Sequence, residues 1–135
     1  MSTKFMITGN DLVEGEPENC QYCAVALAVA RDIVTGLPNA ENLVPNIDGD
    51  GNFFIQEKIA DNDGYIQYQD MYWIDMKDDD TYELLDFISW YDCIDPHDNN
   101  ESAKIFQEHV ERYDKRPWTI NCKLVEVAYD ERNNS

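Results

Sequence analysis

The spacing of apolar residues assigns most of the elements of the chain. Residues 4–8 form a short apolar stretch, read as a strand or the entry to a helical turn, and Gly15-Glu16-Pro17 breaks it. From about Asn19 to Val34 the pattern is helical, with Asn19 as the N-cap. Its run from Cys23 to Ala30 is apolar on every side, as in a buried central helix, and its alanines let neighbouring elements approach closely. Gly36-Leu37-Pro38-Asn39 ends it. Leu43 to Ile47 and Asn52 to Ile59 read as the arms of a hairpin turned at Asp48-Gly49-Asp50-Gly51. A second turn at Asp61-Asn62-Asp63-Gly64 leads to a strand from Tyr65 to Asp75. There Ile66, Tyr68, Tyr72 and Ile74 are expected on one face, with Asp70 as the flaw in the alternation.

Beyond the charged loop 77–80, Asp80 and Glu83 suggest a capping box opening a helix to about Tyr91. Its apolar face is Leu84, Phe87, Ile88 and Tyr91, and Asp79, Glu83, Asp86 and Trp90 lie opposite. A polar loop, Cys93 to Asn100, precedes a helix from Glu101 to Tyr113 with the stripe Ala103, Phe106, Val110 and Tyr113. Pro117 stops that helix, and Trp118, Ile120, Cys122 and Leu124 alternate in a final strand reaching about Tyr129. The prediction is an α+β fold: a small, mainly antiparallel sheet packed on the alanine-rich helix, with two further helices. Residues 1–129 are read as one domain and 130–135 as a frayed polar tail.

Composition adds charge to this picture. The 135 residues carry 28 Asp and Glu against 10 Lys and Arg, for a net charge of −18. That balance disfavours direct binding to nucleic acid or to anionic membranes. No apolar run reaches membrane-spanning length and the start lacks signal-peptide order, so the expected location is the cytoplasm. The charge is uneven: residues 61–101 hold 13 acids and one base, net −12. Eight aromatic residues interleave with these acids, which marks folded structure or a contact surface rather than a solvated tail.

Four groups of residues bear on chemistry. Cys20 and Cys23 form a Cys-x-x-Cys pair at the expected helix start, where the macrodipole would lower a thiol pKa. The pair reads as buried small residues beside alanine, as half of a zinc site completed by Cys93 and His97, or as a redox pair lacking its βαβ context. Asn46, Asp48, Asp50, Gly51 and Glu57 match calcium-loop spacing. Asn at the first position, Pro45 before it and the strand-like Phe53, Ile55 and Ile59 favour an ordinary hairpin instead. The only histidines are His97 and His109, the latter read as a surface residue, and no phosphate loop is present, so no catalytic residues are assigned and no enzyme is expected.

The remaining group is the acidic stretch itself. Acids three or four apart on a helix stand ~5–6 Å from one another and present a row of charge. Asp79, Glu83 and Asp86 would do so, continued by Asp75, Asp78 and Asp80 before them and by Asp92, Asp95, Asp98 and Glu101 after. Trp90 would serve as the apolar anchor.

Two stretches carry a family resemblance. Cys20-Gln-Tyr-Cys23-Ala-Val-Ala-Leu-Ala is similar to the Cys-x-x-Cys-Pro-Val-Ala-Leu-Ala helix start of small, uncharacterised bacteriophage proteins. Phe106, Tyr113-Asp114, Arg116-Pro117 and the alternating strand resemble the close of those proteins, in the same order. Together they cover about a third of the chain. Ala24 replaces the family's proline, and the acidic middle is longer here. The resemblance implies a phage origin and a small α+β fold, and no mechanism. The expected function is therefore stoichiometric binding: a nucleic-acid-mimicking inhibitor of a basic, nucleic-acid-binding host protein. The alternative is a zinc-supported interaction module without catalytic activity.

Overall fold

The computed structural model describes residues 2–94 and 100–127. Five strands form one antiparallel sheet: β1 (Ser2–Ile7), β2 (Leu43–Ile47), β3 (Phe53–Ala60), β4 (Ile66–Asp75) and β5 (Trp118–Glu126), in the order β1-β5-β4-β3-β2. Among the described residues four α-helices accompany it: α1 (Gly9–Glu14), α2 (Ala24–Asp32), α3 (Asp78–Cys93) and α4 (Asn100–Lys115). The predicted α+β architecture is the one observed. None of the described helices is long and apolar enough to cross a membrane. The expected tail, 130–135, lies outside the described residues.

Period-two burial explains the sheet. Phe5, Ile7, Leu43, Ile47, Phe53, Ile55, Ile74, Ile120, Cys122 and Leu124 all point to one face, where α2 covers β1 and β2. Pro45, which lacks an amide hydrogen, sits in edge strand β2, where proline is tolerated. Ala24, Ala26 and Ala28 of α2 are wholly buried, as a helix apolar all round requires.

Helix α1 is not among the expected elements, β5 ends at Glu126 rather than near Tyr129, and three other departures have a clear local reason. The helix starts at Ala24 with Cys23 as its N-cap, because Asn19 Oδ1 accepts from the Gln21 amide in a preceding turn. Helix α3 starts at Asp78 and has no capping box; Lys77 is the N-cap and makes no side-chain cap bond. Three aspartates in its first turn complement the macrodipole instead. In β4 the pairing register skips Met71, so that Gln56 faces Asp70 while Ile55 faces Tyr72. This bulge puts Asp70 on the outer face with Gln56, whose side-chain amide donates to it at 2.8 Å. Ile66 and Tyr68 consequently share the outer face and stay exposed, while Tyr72 and Ile74 turn inward.

One polar cluster joins the first three elements. Thr8 and Asp11 form a reciprocal capping box at the start of α1. The Asp11 carboxylate is 4% exposed and meets the Arg31 guanidinium at 2.7 Å, while Arg31 itself is 44% exposed. Arg31 also bonds Asp32 at 2.9 Å and donates to the Met6 carbonyl, and the Met6 amide donates back to Asp32 at 2.8 Å. β1, α1 and α2 are thus locked through a single side chain. Gly9 abuts α4: a Cβ there would stand 2.2 Å from the Val110 carbonyl oxygen.

Removing the cation tests this clamp. An Arg31→Met variant leaves the buried Asp11 carboxylate with the Thr8 amide but without its cation, and urea unfolding is expected to show a loss of about 2–3 kcal/mol, below the ~3–5 for fully buried pairs because Arg31 is half in water. Burial pushes the Asp32 carboxyl up, but the Arg31 hydrogen bond and charge and the Met6 amide outweigh it and hold the group below its ordinary value. Its stabilisation is therefore complete above an unfolded pKa of about 4 and is lost as pH falls through the lower native one. Wild-type stability should fall more steeply in acid than that of the variant.

Candidate partner-binding surface

Helix α3 buries Leu84, Phe87, Ile88 and Tyr91 and turns its other side to water. Asp78, Asp79, Glu83 and Asp86 are all exposed, and they fall within roughly 140° of the helix circumference. The ion pairs found among the described residues involve only Arg31, with Asp11 and Asp32, so these four carboxylates carry none. Tyr82 stands in their midst at 68% exposure, three and four residues from Asp79, Asp78 and Asp86.

The other predicted members separate from this face. Asp75 is half-buried on β4, opposite Lys123. Asp80 is half-buried, and Glu101 is exposed in the first turn of α4. Asp92 accepts the Glu18 amide at 2.8 Å, fixing a turn in which Glu18 has a φ of 62°. That is a left-handed conformation unfavourable to a residue with a Cβ, so Asp92 serves the fold. Asp95 and Asp98 lie outside the described residues.

Trp90 is not the anchor that its position in the sequence suggests. It stacks on His109 with ring centroids 4.2 Å apart and lies 5.8 Å from Phe87, in an aromatic seam between α3 and α4. His109 is accordingly half-buried rather than a surface residue, and its Nδ1 lies 2.9 Å from the Ile105 carbonyl oxygen. The exposed aromatic of α3 is Tyr82. Its signal was in the sequence, since its helical neighbours at −4, −3 and +4 are all Asp.

Cys20 and Cys23 line one small cavity of about 220 Å³ together with Asp92. Cys23 is buried, and its Sγ caps α2 by accepting the Ala26 amide at 3.4 Å. The expected lowering of these thiols is reversed. Burial pushes Cys23 up to about 11, and burial followed by the charges of Asp48 and Asp92 raises Cys20. Desolvation and nearby carboxylates outweigh the helix dipole. Cys93 is exposed, and His97 lies outside the described residues. Among the described residues no three His, Cys, Asp or Glu side chains are grouped to hold a metal ion.

The segment with calcium-loop spacing is the β2–β3 hairpin. Asp48 Oδ1 accepts the Asp50 amide at 2.6 Å in the turn, and Glu57, on β3 opposite Leu43, accepts from Asn39 at 3.1 Å. Asp48, Asp50 and Glu57 thus belong to a turn and a strand rather than to a loop with an exiting helix. No family model matches the chain, and no curated protein or solved structure matches it either.

The thiols give a direct check. Native protein should take up alkylating reagent at Cys20 and Cys93 only, with Cys20 slower than a free thiol in a peptide; Cys23 and Cys122 should react only on unfolding. Mass mapping of the labelled sites would show it, and rapid native labelling of Cys23 would contradict its capping role.

Proposed function

We propose that this protein acts by stoichiometric binding, as a phage-encoded mimic of nucleic acid that occupies the basic groove of a host protein. The reading rests on one observation: Asp78, Asp79, Glu83 and Asp86 are exposed on one arc of α3, around an exposed Tyr82, and pair with no cation among the described residues. Four carboxylates over eight helical steps span about 12 Å, or one charge per ~4 Å, close to the 3.4 Å charge spacing of a DNA strand. Helical backbone holds them in register, so little ordering entropy opposes docking. Tyr82 supplies flat apolar area of the kind that anchors interfaces. Association would be fast and salt-sensitive, because the charges steer it at long range.

Capture from bacterial lysate at low and at high salt tests the proposal. Immobilised protein should retain nucleic-acid-binding proteins at low salt, release them at high salt, and lose them to added duplex DNA. A variant carrying Asp78→Asn, Asp79→Asn, Glu83→Gln and Asp86→Asn should bind at least roughly tenfold more weakly. Its melting temperature should shift by only a few degrees, since its buried face is untouched and the weakened complement to the helix dipole is offset by relief of repulsion among the four charges. Salt-independent capture, or equal capture by the variant, would sink the idea.

A further inference from the structure

On the far side of Glu83 the charge reverses. Helix α4 ends with Arg112 and Lys115 in its last turn, the Arg116 amide closes that turn on the Arg112 carbonyl at 3.0 Å, and Pro117 redirects the chain into β5. The reversal brings Trp118 back against Tyr113, with rings stacked 6.2 Å apart at 17°, and edge-on to Phe87 at 5.7 Å. The result is an open groove of about 730 Å³ with Arg112, Lys115 and Arg116 around it, Tyr113 and Trp118 in its wall and Glu83 on its rim. Three of the ten cations of the chain converge there.

Helix-dipole complementarity accounts for cations at a helix end. It does not account for an aromatic wall or for a third cation beyond the last turn. The volume lies within the range of small-molecule sites. The geometry points to this groove as a binding site for a nucleoside 5′-monophosphate. Two arginines and a lysine offset by Glu83 balance a phosphate monoester of about −1.5 to −2. Arginine forks suit phosphate oxygens, the outer ring face of the Trp118–Tyr113 stack suits a base, and Glu83 accepts from an exocyclic amine or a ribose hydroxyl. A polynucleotide is disfavoured, because its backbone would have to pass the carboxylates of α3.

Titration of nucleoside 5′-monophosphates, followed by calorimetry and by tryptophan emission at low ionic strength, tests this site independently of the mimicry proposal. Saturable one-to-one binding is expected, at least roughly tenfold tighter than binding of inorganic phosphate or of the unphosphorylated nucleoside. Lys115→Gln with Arg116→Gln should weaken it at least tenfold at an unchanged melting temperature, whereas Lys104→Gln, elsewhere on α4, should leave it intact. If the double variant melts early, Arg116→Gln alone is read in the same way. Absence of saturable binding, inorganic phosphate binding as tightly as the nucleotide, equal binding by the variants, or tighter binding of an oligonucleotide would each overturn the assignment.

Discussion

The fold turns on a carboxylate that water cannot reach. An isolated buried charge is too costly to keep, so Asp11 needs its cation, and Arg31 is brought to it by the far end of α2. The same guanidinium holds the carbonyl at the end of β1, while Asp32 holds the amide of the same residue, Met6. Further placements follow from this one. With α1 fixed, the Leu12 carbonyl receives the buried Tyr91 hydroxyl at 2.9 Å, across 79 residues of sequence. Gly15 leaves room for that hydroxyl, since a Cβ there would stand 2.6 Å from it. Tyr91 in turn positions α3, and Gly9 lets α4 lie directly on α1. The acidic face of α3 is therefore oriented by a salt bridge on the other side of the core.

Scarcity of cations shapes what remains. Ten Lys and Arg cannot neutralise 28 acids, so most carboxylates must stand in water or find amide donors. The fold uses the second solution repeatedly. Asp48 and Asp61 accept amides within their own turns, and Asp92 accepts one from the Glu18 turn. Like charges one turn apart on α3 repel by a few tenths of a kcal/mol per pair. Burying Leu84, Phe87, Ile88 and Tyr91 stabilises by roughly 1.5–3 kcal/mol each relative to exposure, which decides the balance in favour of the helix.

Alternation made the sheet legible in the sequence, since Phe5 and Ile7, or Ile120, Cys122 and Leu124, have one consistent way to lie. Turn chemistry at Asp48 to Gly51 and at Asp61 to Gly64 fixed the hairpins. Several of the misplaced features depend on contacts that a local pattern does not show. Asn19 looked like a cap until its side chain met Gln21, and the long-range hold of Asp92 on Glu18 fixed the turn before it. Trp90 looked exposed on a helical wheel, yet α4 covers it with His109. The Asp11–Arg31 pair joins residues that no local pattern connects, whereas the groove beside Trp118 is drawn, Glu83 apart, from residues 112–119. Tyr82 differs: its acidic neighbours at −4, −3 and +4 are readable in the sequence itself.

Opposite charge on the two flanks of Glu83 raises the question of whether the groove cancels the acidic face. Magnitudes decide that it does not. Two unit charges ~10 Å apart in water interact by only about 0.4 kcal/mol, and physiological salt, with its Debye length of ~8 Å, reduces even that. An exposed ion pair is worth at most about 1 kcal/mol, so nothing compels Glu83 to collapse onto Arg112, Lys115 or Arg116. Asp78, Asp79 and Asp86, displaced around the helix from that rim, keep their field toward solvent. A dianion in the groove would alter the potential of the face only slightly. By the reciprocity of linkage, a basic protein on α3 would alter the affinity of the groove by the same small factor. Long-range charge therefore couples the two surfaces only weakly, and the coupling that remains is local, at Glu83, which both surfaces use.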